Sequence, residues 1–130
     1  MSDLLSSLSV SASGMQAQST RLRHVSENIA NADTPGYRRK TVSFEDVVEG
    51  GVRTGEVRTG QVKLDQSALE QVFDPGNPLA NDTGRYDGSN VNLIIEIADA
   101  REAQRSYEAN LKMFDQARQM TQSLLQILRR

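Results

Sequence analysis

The 130-residue chain has no cysteine, no tryptophan and a single histidine, and its only other aromatic residues are three phenylalanines and three tyrosines. Without cysteine there can be no disulfide, no thiol nucleophile and no thiolate metal site. That suits the cytosol, and equally a protein that must reach an oxidising compartment without mispairing. With 37% hydrophobic residues in a chain no longer than one domain, any core should be thin. No apolar run approaches the length needed to span a membrane. The N-terminus lacks the basic and continuous apolar regions of a cleaved secretory signal, so export, if it occurs, is expected to leave the chain uncut. A basic excess is missing too. Residues 1–32 carry two positive and two negative charges, 33–90 seven and ten, and 91–130 six and five. No region could neutralise many phosphates, which argues against nucleic-acid binding.

Helix breakers are scarce at both ends. All three prolines (Pro35, Pro75, Pro78) and eight of nine glycines lie between residues 33 and 90, and only Gly14 falls outside. The ends are free to be long helices, a layout unlike a compact α/β enzyme with turns throughout.

What is present follows that layout. Over residues 3–32, Leu5, Leu8, Ala12, Met15, Ser19, Leu22, Ser26 and Ile29 recur at steps of three and four, a coiled-coil spacing. Alanine and serine weaken this seam, and serines at 2, 6, 7, 9, 11 and 13 lower helicity, so the segment is expected to need a partner. Asp33-Thr34-Pro35-Gly36-Tyr37 ends it. Residues 38–73 read as broken β structure. They contain an alternating Arg39–Phe44 and the near-repeat Val52-Arg53-Thr54-Gly55-Glu56, Val57-Arg58-Thr59-Gly60-Gln61. Two repeat units are too few for a solenoid and suggest a hairpin or extended arm. Turn clusters follow at 73–78, 81–84 and 87–88. Residues 91–128 give the strongest helical pattern, with Ala103, Tyr107, Asn110, Phe114, Ala117, Thr121, Leu124 and Leu128 in register. Leu111, Met113, Met120, Leu125 and Ile127 widen its apolar face beyond what one weak helix can cover, which points to protein–protein contact.

No enzyme signature emerges, and no cofactor or metal is expected. His24 has no nucleophile to serve and is expected to be a solvated or interface side chain. The carboxylate pairs Glu45-Asp46 and Glu96/Asp99 are expected to lie on solvated faces. The glycines at 50, 51, 55 and 60 lack the following Gly-Lys-Ser/Thr and helix of a phosphate loop. Asn81-Asp82-Thr83 is a chance-level sequon.

Ser26-Glu27-Asn28-Ile29-Ala30-Asn31-Ala32-Asp33-Thr34-Pro35-Gly36-Tyr37 closely resembles the N-terminal signature of the bacterial flagellar rod and hook family. Arg105-Ser106-Tyr107-Glu108-Ala109-Asn110, with Phe114, Ala117 and Met120, resembles that family's C-terminal stretch. Within the family, the short length, Phe73-Asp74-Pro75-Gly76-Asn77-Pro78-Leu79-Ala80, Gly84 and Asn90-Val91-Asn92 resemble one proximal rod branch. Phe73 and Ser89 depart from it, where that pattern has Tyr and Pro. The uninterrupted Thr34–Tyr37 with Asp87–Val91 also resembles its sister proximal branch.

The resemblance implies a mainly α fold, with long N- and C-terminal helices paired as a coiled-coil-like hairpin around a small irregular β-rich insert. Residues 1–32 and 91–130 would form a discontinuous axial domain, and 33–90 the insert. It implies a non-enzymatic subunit of the basal-body rod, the shaft that carries torque to the hook, exported uncleaved by the flagellar type III apparatus and assembled in the periplasm. The implied partners are FlgB, FlgF, FlgG and FliE, copies of the chain itself, and the export apparatus, with no nucleic acid, small substrate or membrane insertion. Less well matched is a helical export chaperone or regulator, which would lack the Thr-Pro-Gly-Tyr turn. The residues implicated are Asn28, Ile29, Asn31, Thr34, Pro35, Gly36 and Tyr37 in the turn. For packing and assembly they are Leu5, Leu8, Met15, Leu22, Ile29, Tyr107, Asn110, Leu111, Phe114, Leu124, Leu125 and Leu128. In the turn, the amides are expected to bond backbone groups near the helix end, with Tyr37 packing back.

Overall fold

The computed structural model describes residues 2–130. Two long helices, α1 (Ser2–Ala30) and α2 (Leu93–Leu128), frame six short strands: β1 (Lys40–Thr41), β2 (Phe44–Glu49), β3 (Val52–Thr59), β4 (Lys63–Leu64), β5 (Gln71–Phe73) and β6 (Arg85–Asp87). The helices run antiparallel. Gly14 meets Asn110, Arg21 meets Asp99 and Glu102, and Asn28 meets Glu96. At 1.5 Å per residue α2 is about 54 Å long and α1 about 44 Å, so α2 outruns its partner.

The seam between them is made of small residues. The buried apolar side chains are Ala17, Val25, Ala103 and Ala117, joined by Ser11. A Cβ on Gly14 would lie 2.7 Å from Asn110 Nδ2, which shows how closely the two backbones approach. This corrects the register expected for α1. Leu5, Ala12, Ser19, Ser26 and Ile29 are exposed, and Leu8, Met15 and Leu22 are half-buried. The buried positions Ser11, Val25 and Asn28 each stand one residue before the expected Ala12, Ser26 and Ile29. The physical reason is close packing: small side chains let the helices touch, whereas leucines on the same line would hold them apart. On α2 the expected stripe coincides with the seam at Ala103, Asn110, Phe114, Ala117 and Thr121. It departs at Tyr107, which is exposed at the seam's edge, and at Leu124 and Leu128, which lie beyond the reach of α1.

The strands form three separate antiparallel pairs, β1–β4, β2–β3 and β5–β6. The β2–β3 hairpin turns on Gly50 and Gly51, both at positive φ (57° and 78°), the two-residue turn whose twist suits a hairpin. The hairpin lies on α1, where Ser13 Oγ accepts from Val57 N (3.1 Å) and donates to Val10 O (2.8 Å). The serine-rich helix therefore uses a hydroxyl to satisfy a strand edge. The β5–β6 pair encloses the Pro75–Pro78 turns, with the Arg85 guanidinium 5.9 Å over the Phe73 ring. Among the described residues no helix is long and apolar enough to cross a membrane.

Candidate functional site

The end of α1 is tied off locally. Asn31 Nδ2 donates to Glu27 O (2.8 Å), supplying a partner to a carbonyl of the last turn. Thr34 Oγ1 donates to Asn31 Oδ1 (3.1 Å). Tyr37 N donates to Thr34 O (3.1 Å) across a turn with Pro35 and then Gly36 at φ 74°, the pattern of a type II turn. Gly36 N in turn donates to the carbonyls of Asp87 and Gly88, and Ser89 Oγ donates to Ala32 O. The turn thus grips the segment that leads into α2. That helix is capped by Asn92, whose side chain accepts from Ile94 N (3.0 Å).

At the centre stands Asn28, which is fully buried. Its Oδ1 accepts from Lys40 N and Tyr37 OH (both 2.8 Å), and its Nδ2 donates to Lys40 O (3.0 Å) and Glu96 Oε2 (3.3 Å). All four of its hydrogen-bonding positions are filled. Glu96, also fully buried, takes Arg39 Nε on its other oxygen at 2.7 Å. Arg39 extends to Asp99 (3.4 Å) and Asp65 (3.8 Å), while its backbone N–H donates to Asn90 Oδ1 (2.7 Å). One network thereby joins α1, the turn, β1, the loop at 65–67 and α2.

The charges follow the geometry. Burial is the largest single influence on Arg39 and opposes its charge, but the Glu96 hydrogen bond and the attraction of Glu96, Asp99 and Asp65 together outweigh it and hold the guanidinium above its ordinary pKa. Burial raises the Tyr37 phenol. The Lys40 ammonium at 2.7 Å lowers Glu27, and Glu27 raises Lys40 in return. Asp65 is lowered by the Ser67 backbone N–H that it accepts at 2.8 Å.

Of the expected turn residues, Asn28, Asn31, Thr34, Gly36 and Tyr37 come together here, while Pro35 is exposed and Ile29 points outward. Two expectations are corrected. Glu96 is not on a solvated face but is sealed between Asn28 and Arg39, with Asp99 half-buried beside it. His24 is buried and unsolvated, with no hydrogen-bond partner on either ring nitrogen and Nδ1 3.7 Å from Glu27. Sequence reasoning missed Arg39, Asn90 and Glu96 as a unit. A signal existed for Glu96: it interrupts Leu93-Ile94-Ile95-Glu96-Ile97 and stands seven residues before Ala103, on the line of the seam.

The packing residues divide differently. Phe114 and Asn110 are half-buried along the seam, whereas Leu111, Leu124, Leu125 and Leu128 are 41%, 39%, 42% and 72% exposed. The polar groups at the centre are saturated by one another, and no cluster of metal-binding side chains occurs among the described residues. A self-satisfied polar lock joining two helices with much apolar surface uncovered is the anatomy of an assembling structural protein.

The family comparisons agree with that class. Residues 8–38 match the family described as flagella basal body rod protein. Residues 83–127 match the C-terminal family described as flagellar basal body rod FlgEFG protein. The chain is 43% identical to the flagellar basal-body rod protein FlgC of Agrobacterium fabrum, covering 99% of this chain and 98% of that one. It is 33% identical to FlgC of Salmonella typhimurium, covering 90% and 92%, and 34% identical to FlgC of Aquifex aeolicus, covering 88% and 89%. The chain belongs to the flagellar basal-body rod protein family and is FlgC-like within it, a structural rod subunit of the flagellum and not an enzyme.

Proposed function

We propose that this chain occupies the proximal rod and forms part of the axial drive shaft, with α1 and α2 acting as a discontinuous, coiled-coil-like axial unit. The observation that carries this reading is the contrast between a seam of alanines and a crowd of uncovered large apolar residues on the outer faces of both helices. Such surface calls for protein neighbours. In this reading the neighbours are copies of the chain and the rod proteins FlgB, FlgF, FlgG and FliE. Leu5, Ile29, Tyr107, Leu111, Leu124, Leu125 and Leu128 meet them. Leu8, Met15, Leu22, Asn110 and Phe114 support the pair from its flanks.

Absence of cysteine and a serine-rich first helix suit uncleaved passage through the flagellar type III apparatus and assembly in the periplasm. The insert at 33–90 sets contacts to neighbouring subunits at larger radius. Its hairpin packs on one side of α1, which leaves the other faces of α1 and α2 for the tube. The test is complementation of a deletion strain, followed by isolation of basal bodies. The protein should copurify with the rod and restore motility. Unchanged rod assembly after deletion of residues 50–62 would count against the role given to the insert.

A further inference from the structure

Between the first turns of α1 and the β2–β3 hairpin lies a groove of about 300 Å³, lined by Leu5, Ser6, Ser9 and Val10 of α1 and by Glu49, Thr54 and Glu56 of the hairpin. The other carboxylates of the hairpin are used: Asp46 pairs with Arg53 and Glu45 with Arg58. Glu49 and Glu56 have no cationic partner among the described residues, and neither has Asp3 at the start of α1. The far end of α2 is the opposite in character. Residues 116–130 contain three arginines and no aspartate or glutamate. Arg118 is taken by Asp115, whereas Arg129 and Arg130 pair with nothing among the described residues. The same end projects past α1 and exposes Leu124, Leu125, Ile127 and Leu128. One surface is mostly polar and anionic with Leu5 and Val10 lining it, the other is apolar and cationic, and both lie near the same end of the helix pair.

We propose that the C-terminal end of α2 of one copy docks in the α1–hairpin groove of a second copy. Leu124 and Leu128 then rest on Leu5 and Val10, and Arg129 and Arg130 face Glu49 and Glu56. The overhang leaves its own groove behind because it extends beyond Ser2, so the contact is between molecules. It is heterologous, each copy offering a groove and a tail, and it propagates as an open helical array. Charge complementarity sets its register and rate of encounter. This inference rests on the rod reading and adds to it which surface meets which.

The test uses the cysteine-free background. The full-length double variant S9C/Q126C is expressed in the deletion strain, oxidised in intact basal bodies and resolved without reductant. A ladder of multiples of this chain is expected. Charge reversal in the pair E49K/E56K, or in R129E/R130E, should cut the ladder about tenfold, and the four changes together should restore it to within about twofold. Motile cells without a ladder, adducts with a different rod subunit only, or failure of the combined reversal to rescue would each overturn the docking while leaving the rod reading intact. Absence of the wild-type chain from basal bodies would instead overturn the rod reading.

Discussion

The two ends of the helix pair solve opposite problems. At the closed end, where α1 turns toward the insert and α2 begins, Asn28 and Glu96 are fully buried and every polar position of Asn28 is filled. At the open end, Leu124, Leu125, Ile127 and Leu128 stand in solvent past the start of α1. The Asn28–Glu96 lock at the closed end is polar and complete within one chain. The open end is apolar and incomplete. A buried polar network specifies a single geometry because any other arrangement leaves its groups unpaired. An exposed apolar stripe specifies only that something must cover it. The lock therefore fixes the angle and register at which each subunit presents its unfinished surface.

That contrast can be broken most strongly at Arg39. Arg39→Ala leaves the Glu96 carboxylate buried without its cation, and a loss of about 3–5 kcal/mol is expected in urea unfolding of the purified chain. Arg39→Lys should recover only part of it, because a lysine cannot reproduce the Nε contact at 2.7 Å while reaching Asp99 and Asp65. Asn28→Ala strands the Lys40 backbone groups and should cost about 1–3 kcal/mol, together with the Tyr37 hydroxyl contact.

Ala103→Leu probes the seam between the two ends. Ala103 is wholly buried where the backbones are close, and overpacking there should cost about 1–3 kcal/mol. The open end should behave in reverse. Leu124→Ala with Leu128→Ala should change the stability of the free chain by only about 0.5 kcal/mol, as at other exposed sites, while abolishing incorporation into basal bodies. A large loss in the free chain would show that the end is not open.

The smallest effect is the response to acid. The Glu27 and Asp65 carboxyls are lowered in the folded chain from 4.5 and 3.8. Groups lowered in this way contribute stability that is present above those ordinary values and is lost as pH falls through the lowered ones. A gentle loosening of the closed end below about pH 4, seen as faster amide exchange at residues 37–41, is the expected signature.

How much of this was legible beforehand differs between the ends. The signature at 28–37 carried its turn openly, because Pro35 and Gly36 are chemically committed to one backbone path. The α2 stripe was legible from Ala103 to Thr121 except at Tyr107, since the three-and-four spacing there follows the seam. The α1 stripe misled by one residue: its leucines advertise a face, but the seam selected small residues so that the backbones could touch. The lock was illegible as a unit because Glu96 lies 57 residues beyond Arg39 and 68 beyond Asn28, across the insert, and each residue is ordinary in its own segment.

The sequence by itself determined two proline-free helices around a turn-rich insert, the turn at 33–37, and the absence of thiol chemistry. Those follow from local backbone preference and from the residue types available. Only the tertiary structure decided that Glu96 is buried, that Gly14 packs against Asn110 of α2, and that the hairpin borders an acidic groove. Those depend on which surfaces approach closely enough to exclude water, a property of the folded pair and not of either helix alone.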